Sequence, residues 1–243
     1  MVRAVEADIT HFDRKTFLAE VWDYSAGEHV TVLGPTGSGK TYLAYELLRH
    51  SVSETLPAVV LVMKPKDPTA LGFSTSMKFP IVRDWPPPQT KRLFSDGKPR
   101  GWTLWPKFAY DPAIDNARHR GVFRRAILDC YRKGNRSLFA DETYSLEEEL
   151  GLSEELRTVW TKGRSMECGL WAASQRPAYI SKWAYQAHHL FLSHDPDVDA
   201  QNRLSEIGGA VDPGKVRWML PRLQKHEWLY VNRDERAMCV VGK

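Results

Sequence analysis

The sequence predicts an α/β fold, a mostly parallel central sheet flanked by helices, with a C-terminal β-hairpin. Three observations carry this reading. Short β-type runs alternate with helical patterns along most of the chain, the arrangement that builds a parallel sheet with helices on its faces. Ala58-Val59-Val60-Leu61-Val62-Met63 is a continuous apolar run, which fits a parallel strand buried on both sides. His29-Val30-Thr31-Val32-Leu33 leads into a glycine-rich stretch, and Tyr42 to Arg49 follows with helical spacing, so strand, loop and helix succeed one another.

The other elements have local reasons. Residues 1–28 form a lead-in, with a short helix expected over Thr16–Trp22 and a turn at Ala26-Gly27-Glu28. Pro57 stops the pattern of the first long helix. Gly101 to Trp105 reads as a strand. Ile114 to Arg132 reads as a helix whose apolar stripe is Val122, Phe123, Ala126, Ile127 and Cys130, ended at Lys133-Gly134-Asn135 by a glycine stop. Ser137–Ala140 is a short strand, and a helix is expected from Ser153, with Glu154 and Glu155 in its first turn, to about Met166. Gly169–Ser174 and His189–Ser193 are strands. Glu227–Val231 and Ala237–Val241 flank Asn232–Arg236 as a hairpin. No repeat of fixed period is present, so 1–243 reads as a single domain.

A chain of 243 residues that is 42% apolar and 26% charged has the composition of a soluble globular protein. No stretch reaches the length of a membrane span, and the first residues lack a signal peptide's apolar core. Cys130, Cys168 and Cys239 are odd in number and far apart, which points to reduced thiols in a cytoplasmic protein. The net charge of +4 is unevenly spread. From Lys64 to Arg100, eight basic residues stand against three acidic ones. Lys64, Lys66, Lys78, Arg83, Lys91 and Arg92 are interleaved there with Phe73, Phe79, Trp85 and Phe94. Cations that track phosphates and rings that stack on bases suit nucleic acid. A solvated, Pro-stiffened loop is the equal alternative.

Gly34-Pro35-Thr36-Gly37-Ser38-Gly39-Lys40-Thr41 is a complete G-x-x-x-x-G-K-T phosphate loop. Its glycines let backbone N–H groups turn toward phosphate oxygens, and the following helix aims its positive end at the same anion. Lys40 supplies a cation to the β- and γ-phosphates, and the Thr41 hydroxyl is a ligand for Mg²⁺. The expected ligands are therefore ATP and Mg²⁺.

Hydrolysis needs a carboxylate on the metal and a base on the attacking water. Asp141-Glu142, at the end of a strand, supplies both: Asp141 toward Mg²⁺ and Glu142 toward water, separated by the alternate projection of adjacent strand residues. Gln175, at the tip of a later strand, suits a γ-phosphate sensor, because an amide donates and accepts without changing charge. Arg157 and Arg164 are seven residues apart and read as one helix face. Either could stabilise transition-state charge in a neighbouring subunit, Arg164 by preference; a surface salt bridge is the plainer use of both.

The run from Gly163-Arg164 through the strand to Ser174-Gln175-Arg176-Pro177 resembles the FtsK/HerA superfamily of DNA-pumping ATPases. That group includes conjugative coupling proteins and the packaging ATPases of membrane-containing viruses. Gln175 matches the glutamine that distinguishes these relatives. Val62–Asp67 resembles their second-strand exit and Leu192–Asp199 a later strand-to-helix loop. The likeness runs from about His29 to the C-terminus, densest at 34–41, then at 141–142 and 163–177, and thinnest from 68 to 113. The strand before Asp141 is shorter than usual, and neither an N-terminal anchor nor a C-terminal winged helix is seen.

The resemblance implies a P-loop NTPase of the RecA-like, additional-strand kind, with residues 64–113 as an insertion-like segment. It further implies an ATP-driven translocase of double-stranded DNA working as a homo-oligomeric ring, with a hexamer as the expected form. The compact chain fits viral genome packaging, in the host cytoplasm or at a virion vertex, with a capsid or membrane-associated protein as further partner. A conjugative or cellular DNA pump is the alternative. An ATP-dependent switch that moves no DNA, and a small-molecule kinase, are the readings from other classes.

Overall fold

The computed structural model describes residues 9–88, 99–175, 181–195, 202 and 211–243. Among these, ten strands form one sheet in the order β1-β10-β9-β8-β2-β7-β6-β3-β5-β4. The strands are β1 (His11–Phe12), β2 (Val30–Leu33), β3 (Ala58–Leu61), β4 (Ile81–Val82), β5 (Gly101–Leu104), β6 (Arg136–Ala140), β7 (Cys168–Ser174), β8 (His189–Ser193), β9 (Trp228–Asn232) and β10 (Ala237–Val241). From β8 through β4 all pairings are parallel. The hairpin β9–β10 continues the sheet antiparallel to β8, and β1 pairs parallel to β10 at that edge.

Among the described residues, six α-helices accompany the sheet: α1 (Arg14–Thr16), α2 (Lys40–Ser51), α3 (Pro68–Met77), α4 (Pro112–Lys133), α5 (Ser153–Lys162) and α6 (Pro213–Met219). The strands carry two apolar faces at period two. Val59, Leu61, Leu138, Leu170, Leu190 and Leu192 pack with Phe123 and Ile127 of α4, Leu156 of α5 and Val216 of α6. Val30, Val32, Val60, Phe139, Trp171 and Phe191 face the other way, against Leu43, Leu47 and Leu48 of α2, Phe73 of α3 and Phe17 of the lead-in. Both faces are covered, which is why these strands read as unbroken apolar runs and not as alternating ones.

Helix boundaries follow their caps. Asp111 accepts from the backbone N–H groups of Ala113 and Ile114 at 2.9 and 3.1 Å, with Pro112 in the first turn, and Gly134 closes α4. Asp67 caps α3 in the same way through Ala70 N at 2.9 Å.

Two expectations are corrected. Where residues 64–113 are described, α3, β4 and β5 belong to the sheet and its cover. Helix α3 is built from Pro, Thr, Ala, Leu, Gly, Phe, Ser and Met without charges, so no charged face announced it. Among the aromatics of that segment, Phe73, Phe79 and Trp85 are buried in the core, which removes them as platforms for bases; Phe94 lies outside the described residues. Finally, the helix expected to reach Met166 stops at Lys162, and Arg164–Met166 is a separate 3₁₀ turn. Arg157 and Arg164 therefore do not share a helix face.

Phe139, fully buried on β6, meets the ring of Tyr45 edge-on at 5.4 Å. Phe139→Ala is expected to lower the unfolding free energy by about 3–5 kcal/mol, measured by urea denaturation.

Candidate nucleotide site

Strand order sets the site. β7 lies between β2 and β6, and its register pairs Leu33 with Ser174 and Ala140 with Ala172. The carboxyl ends of the three strands thus finish nearly level. The phosphate loop, Ser174-Gln175 and Asp141-Glu142 leave the sheet side by side, at the end where open parallel sheets place their ligands.

The loop has the geometry its sequence suggests. Gly37 and Gly39 sit at φ +81° and +94°, in the left-handed region that favours glycine, and α2 begins at Lys40. A Cβ on Gly34 would fall 2.0 Å from Ser193 Oγ, so the loop passes tightly over the end of β8. Lys40 Nζ is folded back onto the loop, donating to Gly34 O at 2.7 Å and Pro35 O at 2.9 Å. Burial holds its ammonium below the usual lysine range, against the opposing charges of Glu142 and Asp141. Ser38 Oγ is buried without a hydrogen-bond partner, as fits a loop shaped to receive phosphate oxygens.

Thr41 Oγ1 donates to Asp141 Oδ1 at 2.6 Å. A hydroxyl and a carboxylate oxygen in contact form a hard-oxygen pair of the kind Mg²⁺ prefers beside phosphate oxygens. The other oxygen of Asp141 accepts from Lys64 Nζ at 2.9 Å. Glu142, half-buried, accepts from Ser174 Oγ at 3.1 Å. Burial raises its carboxyl above the ordinary range, and the Ser174 hydroxyl and the Lys40 charge pull in the opposite direction. The exposed Gln175 accepts through Oε1 from Thr36 Oγ1 of the loop. Thr36 and Gln175 are thereby linked across the top of β2 and β7.

Beside the loop, Arg14, Tyr42, Glu46, His226 and Trp228 line a pocket of 470 Å³ that adjoins Ser38 and Gly39. The Tyr42 ring is 65% exposed, Arg14 pairs with Glu46 at 2.8 Å, and the His226 ring lies 3.1 Å from Ser38 O.

The structure separates the remaining candidates from this cluster. Arg164 lies at the opposite end of the strands, where its backbone packs on Gly27 ahead of β2 and its guanidinium meets Asp234 at 3.4 Å. Arg157 is exposed on α5. Lys66, Lys78 and Arg83 are exposed, and Arg83 donates to Trp105 O at 2.8 Å and lies over that ring. Lys91 and Arg92 fall outside the described residues. Lys64, read from the sequence as a nucleic-acid contact, sits on Asp141 instead, because the exit of β3 runs beside β6. Sequence reasoning missed Ser174 and His226. Adjacency to Gln175 at a strand tip was a usable signal for Ser174, whereas His226 carried none. Among the described residues, no helix is long and apolar enough to cross a membrane.

The chain has the P-loop NTPase fold, which it shares with the solved structures that follow. The packaging NTPase B204 of Sulfolobus turreted icosahedral virus 2, in complex with sulfate, superposes with a TM-score of 0.59 at 14% identity, covering 88% of this chain and 95% of that one. VirB4 of Thermoanaerobacter pseudethanolicus gives 0.61 at 12% identity, covering 87% and 88%. EssC (ATPases 2 and 3) of Geobacillus thermodenitrificans gives 0.54 at 10% identity over 90% of this chain and 40% of that one. No family model matches the sequence, and no curated protein matches it.

At Gly39 an added methyl would force a left-handed L-residue and stand 3.2 Å from His226 Nδ1. Gly39→Ala is expected to cost about 1–2 kcal/mol of stability, read from chemical denaturation.

Proposed function

We propose that the chain is an ATP-hydrolysing DNA translocase that packages a viral genome into a preformed capsid. One observation carries the hydrolytic part: Thr41 and Asp141 are in contact across an intervening strand whose tip presents Ser174 to Glu142 and Gln175 to the loop. A loop that only bound nucleotide would need neither the second carboxylate nor the amide.

Residues 34–41 hold the polyphosphate, and the pocket beside Tyr42 and His226 takes the nucleoside. Thr41 and Asp141 hold Mg²⁺, which when bound neutralises phosphate charge. Lys40 leaves its carbonyl partners for the β- and γ-phosphates. Glu142 takes a proton from water as the water oxygen attacks the γ-phosphorus and the bond to the bridging oxygen breaks, yielding ADP and phosphate. Gln175 reads the γ-phosphate through Thr36. The raised Glu142 carboxyl suits a base, because it binds a proton more readily than an ordinary glutamate.

The DNA part is supported by the fold shared with a packaging NTPase and by the exposed cations Lys66 and Lys78. Its partners are double-stranded DNA, further copies of the chain in a ring, hexameric by preference, and a capsid or membrane-associated protein at the vertex. Arg164, or failing it Arg157, would reach a neighbour's nucleotide in that ring; its link to Asp234 is exposed on both sides and cheap to break. The similarity to VirB4 favours a conjugative or cellular pump as the second reading.

Double-stranded DNA is expected to raise the ATPase rate of the assembled protein; an unchanged rate overturns the translocase in favour of a switch. Glu142→Gln should bind ATP and lose turnover by about 100-fold or more, read from phosphate release. Ser174→Ala removes a hydrogen bond that favours the charged carboxylate. The acid limb of the rate–pH profile should therefore move to higher pH.

A further inference from the structure

Lys64 is held where it is by three contacts. Its carbonyl accepts from Trp105 Nε1 at 2.8 Å, which fixes the backbone beyond β3. Its ammonium lies 2.9 Å from Asp141 Oδ2 and 3.9 Å from Oδ2 of Asp67, the buried cap of α3. Asp141 is 8% exposed, and its other oxygen is taken by Thr41. Lys40, bonded to two loop carbonyls, makes no hydrogen bond to Asp141. Among the described residues, the counter-charge in contact with Asp141 is therefore Lys64.

We propose that Lys64 is a positioning residue of the nucleotide site, the counter-ion of Asp141 until a divalent cation arrives with the nucleotide. The proposal rests on residues 34–41 being a nucleotide site. A buried carboxylate beside the phosphate position repels a polyanion, and the repulsion is strong where water is partly excluded. Lys64 cancels that charge while leaving the carboxylate oriented by Thr41. Its side chain is 56% exposed, so the ammonium has room to withdraw when the metal takes its place. Its effect is then large without metal and small with it. A residue that simply grips phosphate would matter under both conditions.

The test titrates a fluorescent, non-hydrolysable ATP analogue into wild type and variants, in EDTA and in Mg²⁺. Lys64→Met should weaken binding about tenfold in EDTA and less than about twofold in Mg²⁺, as removal of one partly screened charge predicts. Lys64→Gln, polar and uncharged, should behave like Lys64→Met and serves if the latter folds poorly. Lys64→Arg should restore the wild-type ratio. In EDTA, Asp141→Asn alone should bind at least as tightly as wild type, and adding Lys64→Met should bring binding back to about the wild-type level. Equal losses with and without metal, or no loss in EDTA, overturn the proposal. If wild type binds the analogue under neither condition, the nucleotide site itself falls, and the role of Lys64 with it.

Discussion

The contact between Thr41 and Asp141 is the constraint on which the rest of the site depends. The two residues are a hundred positions apart in sequence, and the strands that precede them, β2 and β6, do not touch each other. They meet because β7 is inserted between β2 and β6 and all three end at nearly the same height. A slip of β7 by one residue would turn its side chains to the opposite face and move Ser174 and Gln175 off the site. Dense packing on both sheet faces holds that register, so the apolar core and the chemistry are one requirement.

Electrostatics divides the site into two pairs. Lys40 and Lys64 supply two cations, Asp141 and Glu142 two anions, and the cluster is close to neutral before a phosphate enters. Each lysine has a separate resting place: Lys40 on loop carbonyls, Lys64 on the metal carboxylate. The two acids also differ. Asp141 is held between a hydroxyl and an ammonium, whereas Glu142 has the Ser174 hydroxyl and a desolvated surrounding that raises its carboxyl. Adjacent carboxylates in unlike surroundings can do unlike work, one as ligand and one as base.

Much of the fold was legible in contiguous residues. The apolar runs at 58–61, 169–174 and 189–193 are strands because both faces of the sheet are covered, and the stripe along α4 is visible at helical spacing. Elements with no local contrast were not legible: α3 lacks a charged face, and the two-residue strands β1 and β4 are too short for a periodic signal. The aromatic half of the reading of 64–100 was not legible for a related reason, since Phe73, Phe79 and Trp85 are core residues. Composition cannot tell a ring that stacks on a base from one that packs on Tyr45, as Phe73 does at 4.2 Å.

The phosphate loop, the acidic pair at 141–142 and the glutamine at 175 are properties of the sequence by itself, since each is chemistry carried by neighbouring residues in one short segment. Only the tertiary structure decided which of them meet and what joins them. It placed Lys64 on Asp141, Ser174 on Glu142 and His226 against the loop, and it left Arg164 at the far end of the strands. The physical reason is that strand order and register are set by the packing of the whole sheet, and no window of sequence contains them.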